Sequence, residues 1–454
     1  MILSEVAREL PIRSRQAQGV SCVGFLNLSK LYRHRAGQEH KELTNVNTEE
    51  VDLTAPHTFD NSHKVYGELR EQGAVHWNES LRGWVLTHHR DVKAALKDSR
   101  LSVEKLEPFA HRAGGDAHSD VQVLARALAD WMVFKDPPRH ALLRRAMQNA
   151  FMAKDVPVLE PVIQKVVDEL LSPLIPLAGE RRSMDLISAF AQRAPAIVIS
   201  DLFGLPSDER MQLNAWSRDL GEFVLGSTDS PERRERAAAA VRAMTVRFHH
   251  LVNDHRTSPR DDFTALLIRD GTHLTDDEIV HTLILVLFAG HETTANLITN
   301  GLLTLINTPT LMTQVVNAPN LMEPAIEEFL RLEGPVHMVS RLAKEPVEYA
   351  GVQIAAGDRL HLALNAANRD PQMFEDSEAI DLERRRFQHV SFGPGTHMCL
   401  GAPLARLIGR IALNTLLARL QRFELATDLL TWRNQLVAHG LAALPVSYEC
   451  RDIA

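Results

Sequence analysis

Cys399 lies in SFGPGTHMCLGAPLAR (391–406), between a run of glycines and a stretch that reads as a helix. Gly393, Gly395 and Gly401 permit tight turns and the close approach of a flat ligand. A cysteine just before a helix meets unpaired N–H groups and positive potential, which favour a thiolate over a thiol. Such a thiolate can serve as a nucleophile or as a metal ligand. No second cysteine or histidine cluster at zinc spacing accompanies it. A single axial thiolate on heme iron fits, and a buried structural cysteine is the other reading.

Three further groups carry polar chemistry in otherwise apolar or helical surroundings. AGHETT (289–294) places Glu292 and Thr293 inside a long apolar run. Ala289 and Gly290 leave space beside that backbone, and a buried carboxylate next to a hydroxyl can pass protons. EEFLR (327–331) sets Glu328 and Arg331 at i,i+3 on one helix face. DPPRHALLRR (136–145) sets His140 and Arg144 at i,i+4, after a Pro137-Pro138 start that suits a helix N-terminus.

Together these motifs resemble those of the cytochrome P-450 family, in its soluble bacterial form. The pattern FGxGxHxCxG is met at every position by Phe392, Gly393, Gly395, His397, Cys399 and Gly401. The ExxR pair and AGHETT precede it in the family's order, and the resemblance runs from about Val51 to the end. It implies a mainly α fold with small β-sheets, a single large triangular domain with a long central helix over the heme. It implies heme b (iron protoporphyrin IX) with Cys399 as axial thiolate and metal ligand. His140, Arg144, Arg341 and His397 align with partners of the heme propionates. Thr293 aligns with the hydroxyl that meets dioxygen, and Glu292 with the proton-relay acid. Arg384 would complete a structural triad with Glu328 and Arg331. Phe109, Val286, Leu287, Ala289, Val336 and Val339 align with the lining of an apolar substrate pocket, with His337 as a polar addition and His439–Leu441 closing it.

The implied activity is insertion of one oxygen atom from O2 into a small-to-medium, largely apolar organic substrate. A ferredoxin or flavodoxin-type donor with its NAD(P)H-dependent reductase would supply electrons, since no flavin or nicotinamide module is appended. Arg139, Arg145, Arg385, Arg386 and Arg410 flank the motifs and suggest a basic docking patch. A peroxide-dependent peroxygenase of the same fold, a non-catalytic heme sensor, and a non-heme helical scaffold remain alternatives. The acid–alcohol pair disfavours the first. The sequence also departs from the family's pattern. NSHKVY (61–66) lacks the usual Asp-Pro entry, and His439 stands where an arginine is common before Gly-Leu.

The elements that must position these groups follow from periodicity. Thr275 and Glu278 form a capping box before an apolar run, predicting a helix from Asp276 to about Ile306. Val75–Trp77 and Trp84–Thr87 alternate as a hairpin, and Tyr66–Leu69 reads as a helix end. Residues 347–364 read strand, turn, strand around Gly351 and Gly357, and 104–118 read as a loop. Most of 121–420 carries helical periodicity. Residues 1–50 are polar and aperiodic, an extension ahead of one domain over 51–454.

Composition agrees with that reading. The chain has 454 residues, a formal charge of −8 and 45% hydrophobic content, ample for a large core. Three cysteines without paired spacing argue against a disulfide framework and for a reducing cytoplasm. Glu5 interrupts any leader-like run, and the apolar stretch Leu283–Ala289 is far short of the ~20 residues of a membrane span. Mild acidity gives no support for nucleic-acid binding.

Overall fold

A computed structural model of the chain describes residues 51–106, 119–152, 156–177, 179–226, 230–384 and 388–451. The expected extension 1–50, together with Phe109, Arg385 and Arg386, lies outside the described residues. Helix α1 (Ser62–Gln72) continues through Tyr66–Leu69, so that segment is the middle of a helix, with Tyr66 and Leu69 on its buried face. Strands β1 (Val75–Asn78) and β2 (Gly83–Leu86) form the expected hairpin, with Trp77 opposite Trp84. Strand β3 (Leu101–Ser102) follows, then α2 (Arg139–Met152), which carries the HALLR motif.

Helix α3 (Asp276–Asn307) has 32 residues, and its capping box forms as expected: the Thr275 side chain accepts from the Glu278 N–H, and Glu278 returns to the Thr275 N–H. At 1.5 Å per residue it is roughly 48 Å long, a whole domain's width. Its two halves serve different cores. Ile279–Phe288 pack with residues from 124 to 267. Leu297–Leu305 pack with Ile163–Val198, with Met322–Leu330 of α4 (Met322–Leu332), and with the last long helix. The AGHETT stretch lies where one core gives way to the other, the position at which a wall can be left open.

Strands β4 (Met338–Ala343) and β5 (Arg359–Ala363) complete a five-stranded sheet in the order β1-β2-β5-β4-β3. The 347–364 stretch holds three strands, Val347–Tyr349, Val352–Ile354 and β5; the first two form a hairpin of their own. A second sheet joins Arg181–Asp185, Pro445–Cys450 and Leu420–Leu425. Helix α5 (Ala402–Arg419) starts three residues after Cys399 and buries Leu404 to Leu417 against α3 and α4. No described helix is long and apolar enough to cross a membrane.

Candidate functional site

The loop before α5 is closed by its own backbone. The Gly393 N–H donates to the Val390 carbonyl at 2.8 Å, Met398 to Gly395 at 3.1 Å, and Cys399 to Phe392 at 2.9 Å. Gly393 (φ 61°) and Gly395 (φ 130°) take left-handed conformations that side chains rarely adopt. A Cβ at Gly395 would also sit 2.5 Å from the Leu96 carbonyl oxygen. Gly401 differs: its φ is −81° and the space beside it is open, so room is what glycine supplies there.

Cys399 opens onto a cavity of about 530 Å³ while protein surrounds it on its other sides. Burial pushes its thiol up. The N–H groups of Gly401 and Ala402 and the Arg144 and Arg406 cations pull the other way without winning. A coordinated metal would hold the thiolate, because it displaces the proton outright.

A brace unseen in the sequence fixes the same loop. The Arg406 guanidinium covers the Phe392 ring at 4.5 Å and donates to Glu327 at 2.5 and 2.9 Å. His389 meets the same carboxylate at 3.1 Å. Burial alone would raise the Glu327 pKa; Arg406 and His389 more than offset it and hold it at about 2, against an ordinary 4.5. A carboxyl depressed on folding stabilises the fold above its unfolded pKa, and that stabilisation is lost as pH falls from 4.5 toward 2. Glu327→Gln is expected to remove on the order of 1–3 kcal/mol of this acid-dependent stability. Thermal unfolding followed against pH checks it; an acid limb unchanged from the parent protein would refute the brace.

One rim of the cavity is cationic. Lys105, Arg341, Arg359, His361 and His397 all line it. His140 does not reach the cavity but packs its ring 4.1 Å from that of His397. Burial drives Lys105 down to about 7, with Arg341 and Arg359 adding repulsion. Burial likewise drives Arg341 to about 10 and His397 to about 3. His140 Nε2 and His397 Nδ1 are buried and have no hydrogen-bond partner. A group carrying two carboxylates would relieve all of these penalties at once. The residues present therefore fit a flat dianionic group lying beside Cys399. Arg144 Nη1 donates to the Met398 carbonyl at 2.8 Å, which ties down the cysteine loop. Lys105 sits in a loop rich in chain breakers, where no sequence signal separates it from a solvated lysine.

Of the expected pocket residues, Val286, Ala289, Val336 and Val339 line the cavity, and Phe109 falls outside the described residues. Leu287 does not line it. One residue beyond Val286 on a helix is a turn of about 100°, and Leu287 is fully buried in the core instead. Leu436 and Val437, not His439–Leu441, form the C-terminal part of the wall. Phe134, Phe223, Leu225 and Phe288 add apolar surface that sequence reasoning missed. Gly290 also lines the cavity, and a Cβ there would meet Ile199 Cδ1 at 2.6 Å.

Thr293 and Glu292 part company. Thr293 faces the cavity and donates its hydroxyl proton to the Ala289 carbonyl at 2.7 Å. Glu292 is buried on the other side of α3, where Arg433 Nη1 and Gln435 Nε2 donate to its Oε1 at 2.8 and 3.2 Å. Its Oε2 fills the space a Gly221 side chain would need. The Glu328–Arg331 pair closes at 2.8 and 2.7 Å, and Arg384 Nε adds 3.2 Å to the same carboxylate. Of the basic flank, Arg139 pairs with Glu278 and Arg410 with Glu160 at 3.0 Å, while Arg145 is exposed.

Comparison with known proteins adds the following. A family model described as Cytochrome P450 matches residues 82–436. The biotin biosynthesis cytochrome P450 of Bacillus subtilis (strain 168) is 33% identical, over 86% of this chain and 96% of its own. The vitamin D(3) 25-hydroxylase of Pseudonocardia autotrophica is 35% identical, over 90% and 99%. The crystal structure of P450BioI with an acyl carrier protein bearing hexadec-9Z-enoic acid superposes with a TM-score of 0.80 at 32% identity, covering 87% of this chain and 99% of that one.

Proposed function

Because the chain belongs to the cytochrome P450 family, a family of heme-thiolate monooxygenases, we propose that Cys399 would ligate the heme iron and that the protein oxidises a small-to-medium, largely apolar substrate in the cavity beside Thr293. The observation that carries this reading is the single cavity shared by Cys399, Thr293 and the cationic rim. Heme, when bound, supplies oxygen activation, and a thiolate ligand favours O–O cleavage.

The chain's own residues do the rest. Lys105, Arg341 and His397 would hold the propionates, with His140 backing His397. The apolar wall of Val286, Phe288, Ala289, Val336 and Val339 takes up the substrate and excludes water. Thr293 holds a proton at Oγ1, facing the reacting centre. Its bond to the Ala289 carbonyl fixes the hydroxyl's position and leaves its lone pairs toward the cavity. Glu292 serves as the second residue of the relay only when Arg433 releases it, so proton supply is gated by the Arg433–Gln435 loop. A separate ferredoxin or flavodoxin-type protein delivers electrons on the cysteine face, where Arg145 is free to meet an acidic partner.

The test is turnover with a surrogate ferredoxin and reductase across a panel of apolar substrates. Thr293→Ala is expected to keep the thiolate spectrum of the CO complex but lower product formed per NADH by about tenfold or more, the scale of a lost proton-transfer group. Unchanged coupling would refute the assignment of Thr293. Turnover that is insensitive to ionic strength would refute the charged docking face.

A further inference from the structure

The two places where the sequence departs from its family's pattern meet in space, and a third histidine joins them. His63 comes from the NSHKVY stretch, His439 stands where an arginine is common, and His337 precedes β4. His63 and His439 gather around Glu333, just past the end of α4, and His337 stacks on His439 at 3.9 Å. His63 Nε2 lies 2.9 Å from Glu333 Oε2, and His439 Nε2 lies 3.7 Å from the same oxygen. The three ligand-type atoms lie within 4.8 Å of one another.

We propose that His63, Glu333 and His439 form a binding site for a divalent transition-metal ion of the zinc class, stapling α1 to the C-terminal loop. Zinc bonds of about 2.0–2.2 Å in a tetrahedron put ligand atoms roughly 3.3–3.6 Å apart, so small side-chain adjustments suffice. His439 is 5% exposed, and its Nε2 has no hydrogen-bond partner; 3.7 Å to Glu333 is too long for one. Its other face is stacked on Trp432 at 3.7 Å and His337 at 3.9 Å, which locks the ring's direction.

The carboxylate is oriented for the task. Arg369 takes Glu333 Oε1 at 2.9 Å, which leaves Oε2 to the histidines. Beside His439 and His337 lies a chamber of about 10 Å³, the size of one water. The same chamber touches Arg433 and Gln435, the partners of Glu292, so an ion here would stiffen the loop that holds the buried acid.

The experiment uses the full-length, untagged, heme-loaded protein and zinc chloride. The expected result is one zinc per heme retained through desalting, a raised thermal midpoint, and a zinc-edge X-ray absorption signature of imidazole nitrogen and oxygen without sulfur. His63→Asn and His439→Asn should each weaken binding by about tenfold or more, the loss seen even for outer partners of a metal. No retained zinc, or equal retention by both variants, overturns the proposal. Should either variant fail to fold, the absorption spectrum of the parent protein decides: sulfur ligation, or fewer than two imidazoles, overturns it.

Discussion

Cys399→His is expected to yield a folded protein whose reduced, CO-treated form lacks the red-shifted thiolate Soret band and whose turnover falls to background. The loop supports such a substitution structurally. The Cys399 N–H bond to the Phe392 carbonyl, which closes the loop, runs through the backbone, and the residue already faces open cavity. The chemistry does not survive, because a neutral imidazole cannot supply the electron density that a thiolate pushes toward bound oxygen. Cys450 is the internal control. It is half-buried at the end of a strand, with its Sγ 3.5 Å from the Arg451 carbonyl. Cys450→Ser should leave the band unchanged. A thiolate band that persists in Cys399→His would place the ligand elsewhere and remove the central assignment.

What the sequence made legible was local. The capping box at Thr275 and Glu278, the hairpin around Asn78–Gly83 and the i,i+3 pair at Glu328 and Arg331 each lie within one turn of chain, and each forms. Fold class followed from those elements and from the resemblance. What stayed hidden depends on partners far apart in sequence. Glu292 is 141 residues from Arg433, Arg406 is 79 from Glu327, and His63 is 270 from Glu333. No periodicity connects such pairs. Residue type alone also could not place Leu287, which the helix turns into the core while Val286 and Ala289 line the cavity.

Arg331→Ala is expected to cost about 3–5 kcal/mol, enough to consume much of a typical domain's stability of roughly 5–15 kcal/mol. All five guanidinium N–H donors have acceptors. Nε and Nη2 reach Glu328 at 2.8 and 2.7 Å, Nη1 reaches the Asn368 and Ser377 carbonyls at 3.2 and 2.6 Å, and Nη2 reaches Ala379 at 2.7 Å. Glu328 is in turn held by the Asp381 N–H at 3.0 Å and by Arg384. The alanine variant strands a fully buried carboxylate and three carbonyls. The damage would travel to the heme side. The Asn368 side chain accepts from the Val390 N–H at 2.7 Å and donates to Ser391 Oγ at 2.8 Å, at the entry to the cysteine loop. Heme content and thermal midpoint should therefore fall together. A loss below about 1 kcal/mol, with heme retained, would show that Arg331 is an ordinary pair. The double variant Glu328→Leu/Arg331→Met separates charge from scaffolding. If the pair mattered only as opposite charges, apolar replacement of both would recover most of the loss, as it does in other buried pairs. Here the carbonyls of Asn368, Ser377 and Ala379 would still lack donors, each costing about 1–3 kcal/mol. The double variant should thus remain nearly as unstable as Arg331→Ala, because this arginine holds the chain leading to Cys399 as much as it neutralises a carboxylate.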